Sequence, residues 1–418
     1  MFLRSTPNRF HLGRRWACLY STVESLPYTP IHTPVMLPQV LTHLAPTPGG
    51  IYGDLTFGDG GYTKAILDTC DCQVVAVDQD PTAYEKALQM ASMAAYKGRL
   101  FPILGRFGDL ASLVKTHLPW KLPCFDGMVM DIGVSSGQVE TASRGFSYKL
   151  DGPLDMRMFS RGRFMESEAT SPQEQALLRK SISAYEIVNF YSREQIANII
   201  YQYGGDRLSR KIAAAIVDAR QVEPIETTGT LAAVIQKACP QPRWKRGDDD
   251  MLRNSAARTF QALRIYINNE LGELENALRS SEYLLKPQGT LVAVTFHSLE
   301  DRMVKNYMHH CAGKRSMDSA EHNQFDMKRQ VHREWKKQAR RLSDEHEHTL
   351  AFNDRKGKHT TTHSETLDPS FRLTSKKVIL PTRDETAVNP RSRSAKLRAA
   401  QRTTAIPLAP LGPLETVD

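Results

Sequence analysis

The sequence lacks the features that mark several classes of protein. Its six cysteines form no C-x-x-C pair, which excludes a zinc ribbon and a thioredoxin-like motif and argues against a disulfide scaffold. No apolar run approaches the ~20 residues that a bilayer-spanning helix needs, so we expect no membrane segment. The histidine-rich stretch 322–363 contains no H-E-x-x-H motif. We interpret it as a solvated loop and predict no metal.

Acidic residues are absent from two segments, and this absence locates the net charge. The 418 residues are 40% hydrophobic and 24% charged, as in an ordinary folded protein with room for two domains, and the formal charge is +9. Residues 1–23 hold four arginines and residues 386–402 hold five basic residues, in both cases without Asp or Glu. The stretch 24–385 has 46 basic and 44 acidic residues. A uniformly basic RNA-binding body is therefore excluded.

The acid-free N-terminal segment is typical of a mitochondrial presequence. It is basic and rich in hydroxyl groups, and its apolar patch Trp16–Tyr20 is too short for a secretory signal. We therefore predict that residues 1–23 are a disordered import signal and that the protein acts in the mitochondrial matrix. An ordinary basic, disordered terminus is the alternative.

Strands alternate with helices in the first part of the chain. Buried strands are predicted at 51–56, 73–78, 101–104 and 125–131, with helical segments between them. This alternation predicts an α/β, Rossmann-like fold with a parallel, doubly wound sheet, whose first part we assign to residues 31–138.

An all-helical insertion interrupts this alternation. Residues 139–256 show helical periodicity and no convincing strand, and the α/β pattern resumes over 257–311 with one long helix and a strand. Residues 312–370 are predicted to be a charged flexible excursion. Residues 371–402 are predicted to be a final strand with a basic mobile arm, and residues 403–418 a disordered tail. The sheet is thus predicted to be split by a second domain.

A glycine-rich turn after the first strand predicts a nucleotide-like cofactor. Its glycines allow the backbone to approach a ligand at a helix N-terminus; they are Gly58, Gly60 and Gly61. Asp78 closes the second strand, where an acid accepts hydrogen bonds from ribose hydroxyls, and Asp54 is placed to meet a methionine amino group. A dinucleotide fingerprint requires Gly or Ala where Thr63 stands. S-adenosylmethionine is therefore favoured over a nicotinamide dinucleotide.

Five sequence blocks, in order, carry a more specific signal. They read H-T-P-V-M-L, D-I-G-V-S-S-G-Q, F-Q-A-L-R-I, F-H-S-L-E-D-R and N-P-R-S-R-S, at His32–Leu37, Asp131–Gln138, Phe260–Ile265, Phe296–Arg302 and Asn389–Ser394. Together they resemble the MraW/RsmH family of methyltransferases, which modify N4 of a cytosine in small-subunit ribosomal RNA. With the predicted presequence, the chain is similar to the mitochondrial members of that family.

The resemblance implies an S-adenosylmethionine cofactor and the residues that bind it. Matching the family's motifs onto this chain gives Gly60, Gly61, Tyr62, Asp78, Phe107, Asp131 and Gln138. Three positions depart from the family. Tyr62 stands where a histidine is usual, Gly137 stands where the family's S-S-P-Q has proline, and Gly205 replaces one acid of the family's Y-G-E-E-R block.

The fourth strand and a later strand end in candidate catalytic residues. A cytosine amino nitrogen is a poor nucleophile, so an enzyme must orient it and accept one of its hydrogens. We predict that Asp131 does so or supports the methionine moiety. His297 and Ser298 end a later strand, where His297 would polarise the base or take the proton. The alternative for His297 is a structural histidine that caps the strand end.

Several charged residues are candidates for contact with RNA. Arginine suits phosphate and base-edge contacts, and the candidates are Arg144, Asp155, Arg157, Arg258, Arg264, Arg391 and Arg393. The alternative for the Asp155–Arg157 region is an ion-pair network that joins the insertion to the sheet. The target cytidine is expected to be unpaired or flipped out, with the insertion closing over it.

The predicted partner is mitochondrial small-subunit rRNA or an assembling small ribosomal subunit, and a homodimer is left open. Two other functions compete with this interpretation. One is a nicotinamide-dependent oxidoreductase on the same fold. The other is a non-catalytic, RNA-binding ribosome-assembly factor, which the changes at Tyr62 and Gly205 would permit.

Overall fold

The computed structural model describes residues 34–160, 181–240, 254–314 and 368–408. The predicted presequence, almost all of the charged excursion and most of the predicted tail lie outside the described residues, as do His32 and Thr33 of the first family block. Among the described residues, no helix combines the length and the apolar character that a bilayer crossing requires.

A seven-stranded sheet forms the centre of the molecule. In chain order its strands are β1 Ile51–Asp54, β2 Gln73–Asp78, β3 Leu100–Leu104, β4 Phe125–Asp131, β5 Leu285–Thr295, β6 Phe371–Leu373 and β7 Lys396–Arg402. Their order across the sheet is β3-β2-β1-β4-β5-β7-β6. The strands β1 to β5 pair in parallel, whereas β7 is antiparallel to both β5 and β6. The predicted Rossmann-like methyltransferase fold is confirmed.

Helices cover both faces of this sheet because its strands are apolar on both sides. On β2, Val75 and Val77 pack into one buried cluster while Val74 and Ala76 pack into the other. The helices of the described ranges are α1 Leu37–Leu44, α2 Gly61–Thr69, α3 Pro81–Ser92, α4 Leu110–His117, α5 Ser136–Glu140, α6 Ala184–Phe190, α7 Arg193–Gly204, α8 Ser209–Val222, α9 Thr228–Ala238, α10 Ser255–Ile267, α11 Glu270–Leu284, α12 Ser298–Cys311 and α13 Arg383–Val388.

The helices α6 to α9 form a third buried cluster together with one face of α10. Their inward residues recur at helical spacing, as in Ile212 and Ile216 of α8. The segment 146–158 contributes Phe146, Leu154 and Met156 to the same cluster. This segment therefore links the helical region to the end of β4.

The long helix predicted before β5 is instead two helices, α10 and α11. The break falls at Asn268 and Asn269, where Asn269 adopts a left-handed backbone with φ 51°, a conformation that asparagine tolerates. The Asn268 side chain accepts from Met158 N and donates to Met156 O, both at 2.8 Å. The break thus fixes the 146–158 segment against the sheet.

The prediction of a mobile basic arm after the final strand is wrong. Residues 396–402 form β7, an interior strand paired to β5 on one side and β6 on the other. Leu397 and Ala400 are fully buried. The charged residue between them, Arg398, is paired, because its Nε donates to Asp301 Oδ1 at 2.8 Å. The final strand predicted at the start of residues 371–402 is short, since β6 ends at Leu373.

Candidate active site

Three aspartates meet at the carboxyl ends of β1, β2 and β4. Asp54 ends β1, Asp78 ends β2 and Asp131 ends β4, and β1 lies between the other two strands. In doubly wound sheets the ligand crevice forms at this edge, where the strand order reverses. The charges are close enough that Asp54 helps to raise the pKa of both Asp78 and Asp131.

The glycine-rich turn follows β1 with two left-handed positions. Gly58 has φ 54° and Gly60 has φ 72°, so both need the freedom of glycine. The Gly58 N–H donates to Asp78 Oδ2 at 2.8 Å, which ties the turn to the end of β2. A Cβ on Gly61 would overlap the ring of Pro34. The turn therefore brings bare backbone to the crevice, as predicted for a cofactor loop.

Asp78 keeps acceptor capacity for a ligand. One oxygen accepts from Gly58 N and the other from Asp80 N, also at 2.8 Å, and the residue stays partly exposed. A carboxylate offers about four acceptor sites, so two remain for a diol. Burial, followed by the neighbouring Asp80 charge, raises the Asp78 pKa to about 7. The site therefore suits a ribose with two free hydroxyls.

The surroundings of Asp54 do not support its predicted contact with a ligand amino group. It is fully buried, and its Oδ2 accepts from Thr63 N at 3.1 Å and Thr63 Oγ1 at 2.7 Å, while Oδ1 accepts from Thr56 N at 3.3 Å. Burial raises its pKa to about 6. Asp54 and Thr63 thus brace the turn from behind, which explains why a threonine occupies the fingerprint's last position.

Tyr62 faces the protein interior. Its side chain is buried, and its hydroxyl donates to the Val35 carbonyl oxygen. Burial, followed by the charges of Asp131 and Asp54, raises the Tyr62 pKa well above its usual value. The predicted cofactor contact of Tyr62 is consequently limited to its backbone.

The carboxylate of Asp131 has the most unusual environment of the site. The Asp131 N–H donates to Thr56 Oγ1 at 2.7 Å, whereas the carboxylate Oδ1 is buried with no hydrogen-bond partner among the described residues. Burial, followed by the charges of Asp54 and Glu300, raises the Asp131 pKa to about 8, against a lowering effect of the Tyr62 hydroxyl. A buried carboxylate oxygen without a partner is costly, and it points to a donor supplied by a ligand.

Asp80, a buried residue that the sequence analysis missed, supports this edge of the sheet. Asp80 Oδ2 accepts from Gln138 Nε2 at 2.9 Å and Arg144 Nη1 at 2.8 Å, and its Oδ1 caps α3 through Thr82 N. Gln138 also closes the capping box of α5 with Ser135. The D-P pair that starts α3 is a helix-start signal, so its capping role could have been found from sequence.

This arrangement corrects one prediction. Arg144 is 5% exposed and is paired with Asp80, so its side chain has no surface to give to RNA. The predicted contact of Gln138 with the cofactor stays a prediction. Arg144 also donates to the Met158 carbonyl at 3.0 Å. Both residues hold the segment after β4 onto the sheet.

The predicted RNA contacts of Asp155 and Arg157 are wrong for the same reason. Arg157 Nε donates to Asp155 Oδ1 at 2.5 Å, and the two side chains are at most 5% exposed. The alternative of an internal ion-pair network fits these residues. Because Ala184 N donates to Asp155 O at 2.8 Å, the network anchors the start of α6.

Arg258 and Arg264 are also paired, although more accessible. Arg258 reaches Asp206 at 3.0 Å with 29% of its side chain exposed, so it keeps some surface for RNA. Asp206 follows Gly205, which ends α7 in a left-handed conformation at φ 63°. The family acid missing at Gly205 is thus replaced by a helix-ending glycine, which leaves the Arg258 pair intact.

Arg391 and Arg393 are exposed beside the segment that follows β4. Arg391 donates to Ser136 Oγ and to Glu140 Oε1, the latter at 2.6 Å. Arg391 therefore lies against α5, close to the end of β4. The predicted contact of Arg391 and Arg393 with RNA stays a prediction.

Phe107 lies at the end of β3, in a 3₁₀ turn over Phe107–Asp109, and is half-buried. The next residue, Gly108, packs so tightly against Glu273 of α11 that a Cβ would overlap the Glu273 carboxylate. Arg106 pairs with Glu273 at 3.2 Å. The turn is held at the crevice edge, where a partly exposed aromatic ring suits an adenine face.

His297 behaves as the structural alternative describes. Its Nδ1 accepts from Glu300 N at 3.4 Å and caps α12, and its Nε2 lies 2.6 Å from Glu300 Oε1 without an aligned hydrogen bond. Both ring nitrogens are therefore turned toward the fully buried Glu300, and the predicted role as proton acceptor is not supported. Ser298 is exposed at the start of α12.

Glu270, His297 and Glu300 place potential ligand atoms within 4.8 Å of one another. Arg264, however, donates to both oxygens of Glu270, at 2.7 and 2.9 Å. The guanidinium supplies the positive charge that a metal would bring, so the cluster is an ion-pair network. Arg264 has 16% of its side chain exposed, which leaves little of it for RNA.

The comparisons with known proteins agree with this geometry. The family model of the MraW methylases matches residues 29–338 and 341–403, which include the turn, the β4 segment and the start of α12. Ribosomal RNA small subunit methyltransferase H of Granulibacter bethesdensis is 42% identical over 89% of this chain and 92% of its own. The protein of the same name from Paramagnetospirillum magneticum is 41% identical over 90% and 96%. The chain therefore belongs to the MraW methylase family.

Proposed function

We propose that this protein methylates the N4 amino group of a cytidine in small-subunit ribosomal RNA, with S-adenosylmethionine as methyl donor. The observation that carries the proposal is the buried, unpartnered Oδ1 of Asp131 at the crevice beside the glycine turn. The relatives are named as small-subunit rRNA methyltransferases, and this supports the class of substrate.

The chain's residues fit this cofactor. Asp78 would hold the ribose hydroxyls through its two remaining acceptor sites, the bare backbone of Gly58–Gly61 would lie along the ligand, and Phe107 would lie against the adenine. S-adenosylmethionine, when bound, supplies an electrophilic methyl group on a positively charged sulfur. Asp78 and Asp131, when ionised, would provide a negative environment for that charge.

Asp131 is the residue that handles the proton. The N4 nitrogen gains a methyl group and loses one hydrogen, so a base must take that proton. The Asp131 carboxylate is a suitable acceptor because its raised pKa of about 8 brings it closer to the acidity of the methylated amine. Before the transfer, the same oxygen would accept an N4–H hydrogen bond and orient the amine.

The decisive experiment compares rRNA from cells with and without the protein. Mass spectrometry of nuclease-digested small-subunit rRNA should detect N4-methylcytidine only when the protein is present. Wild-type protein added to the deficient RNA with S-adenosylmethionine should restore the nucleoside. Persistence of N4-methylcytidine without the protein would remove the catalytic proposal and leave the non-catalytic assembly factor.

Asp78→Asn should weaken S-adenosylmethionine binding by at least about tenfold, because an amide offers fewer acceptor sites to the ribose hydroxyls. Isothermal titration calorimetry measures this change. Asp71→Asn, in an exposed turn, is the matched control with the same loss of charge. NAD should raise the melting temperature of neither protein; stabilisation by NAD would favour the oxidoreductase.

We also propose that the protein acts in mitochondria, on the strength of the acid-free segment 1–23. The segment lies before residue 29, where the family match begins. Fusion of residues 1–23 to a fluorescent protein should direct it to mitochondria. A variant fusion with all four arginines changed to glutamine should remain outside them, and diffuse fluorescence of both fusions would contradict the proposal.

A further inference from the structure

Basic side chains line a cleft between α12, the turn after β6, and β7. Four of them carry a positive charge, namely Lys305, Lys376, Lys377 and Arg398, and the fifth is His309. The three lysines are exposed, and among the described residues none of them has an ion-pair partner. Within the described ranges, the charges of these three lysines are therefore uncompensated.

The turn that carries two of these lysines is fixed at both ends. Before them, Thr374 N and Oγ1 both donate to Ala399 O, at 3.1 and 3.0 Å. After them, Ile379 and Leu397 exchange backbone hydrogen bonds of 3.0 and 2.9 Å. The Ser375 hydroxyl donates to Lys377 O at 2.6 Å. Lys376 and Lys377 are thus presented on an ordered support, which lowers the entropic cost of binding.

The nearby acid does not neutralise the lysines. Asp301 on α12 accepts from Arg398 Nε at 2.8 Å and from Lys396 Nζ at 3.3 Å. Those two contacts fasten α12 to β7 and use the carboxylate. The charge of Lys305, one turn further along α12, remains available.

The helix α12 connects the candidate active site with the cleft. The helix α12 starts at Ser298, immediately after β5, and Lys305 lies about two turns, or ~10 Å, along it. Ser298, Arg302, Lys305 and His309 follow one side of this helix. A chain whose base enters the crevice at β4 and β5 would therefore pass along this side.

We infer that the cleft lined by Lys305, Lys376 and Lys377, beside the paired Arg398, binds the phosphate backbone of the RNA strand that carries the target base. This inference rests on the proposed function. Lysine is a point charge that contacts phosphates without selecting a sequence. Of the described residues, no Phe, Tyr or Trp lines the cleft, so backbone contact is favoured over base stacking. An acidic protein is the competing partner.

The test is the double variant Lys305→Ala/Lys377→Ala in the full-length protein. Affinity for a fluorescent single-stranded fragment of small-subunit rRNA, measured by anisotropy, should fall by at least about tenfold. The slope of log affinity against log salt should become shallower by ~1 to 1.5, since each lost phosphate contact contributes ~0.7. The affinity for S-adenosylmethionine should not change.

The matched control is Lys97→Ala/Lys115→Ala, which removes two exposed lysines on the β3 side of the sheet. It should bind RNA like the wild type. Equal affinity and equal salt slope for the cleft variant would overturn the inference, and so would retained RNA binding with lost binding to small-subunit ribosomal proteins. The proposed function fails separately, when the wild type transfers no methyl group to rRNA.

Discussion

Asp131→Asn protein is expected to fold and to lose methyl transfer by about 10²–10⁴-fold, with a much smaller change in cofactor affinity. The amide keeps the shape of the side chain but cannot take the amine proton. The hydrogen bond from Asp131 N to Thr56 uses the backbone and should survive the change. Single-turnover methylation of rRNA, together with calorimetry of S-adenosylmethionine binding, measures the two effects.

The same substitution should remove a pH dependence. The Asp131 pKa is raised from 3.8 to about 8 in the folded, cofactor-free protein, and transfer needs the carboxylate. The wild-type kcat/KM should therefore rise with pH until about 8, and the residual activity of Asp131→Asn should lack this rise. A wild-type profile that is flat between pH 6 and about 8 would contradict the role of Asp131 as base.

As the pH rises, the free energy of unfolding should fall while the activity increases. A carboxyl group whose folded pKa is raised above its unfolded value stabilises the fold fully at low pH, and this contribution is lost as pH rises toward the folded pKa. For Asp131 the loss falls between pH 3.8 and about 8. Asp131→Asn should consequently melt at least about 2 °C above the wild type at pH 8, without cofactor. Asp71→Asn, an exposed substitution, should change neither activity nor melting temperature.

The second large effect is expected at the buried pair of Asp80 and Arg144. Asp80→Asn leaves the Arg144 guanidinium buried without its carboxylate, whose distance is 2.8 Å. Removing one partner of such a pair costs about 3–5 kcal/mol. The free energy of unfolding in urea should fall by that amount, and Arg144→Leu should cause a comparable loss.

The double variant Asp80→Asn/Arg144→Leu separates a structural role of Arg144 from a role in RNA binding. It should recover part of the stability, because no unpaired charge remains buried. RNA affinity of the folded double variant should stay within about twofold of the wild type. A tenfold loss of RNA affinity with full stability would instead return Arg144 to the RNA surface.

Much of the fold could be predicted from sequence because local patterns determine it. The apolar runs ending in Asp54, Asp78 and Asp131 gave the central parallel strands, and the glycine turn gave the ligand edge. The strand β7 was missed because Lys396, Arg398 and Arg402 conceal its buried Leu397 and Ala400. Its partners are β5, more than a hundred residues earlier, and β6, and no local pattern reports such pairing.

The predictions for the site residues also depended on whether a local pattern marks the residue. Asp78 and Asp131 could be predicted as site residues because a strand end and a motif mark them. Arg144 and Arg157 were misassigned because an arginine destined for a buried carboxylate has the same sequence signature as one destined for phosphate. Only the positions of Asp80 and Asp155, which depend on tertiary packing, separate the two cases.

The interior position of β7 determines when the sheet can be completed as the chain is synthesised. Residues 396–402 follow every other strand in the sequence, yet they fill the gap between β5 and β6. Until residues 396–402 emerge from the ribosome, β5 has an open edge and, among the described strands, β6 has no neighbour. Completion of the sheet must therefore wait for these residues. The nascent chain needs protection from edge-to-edge association during that interval, and a truncation before residue 396 would make the need permanent.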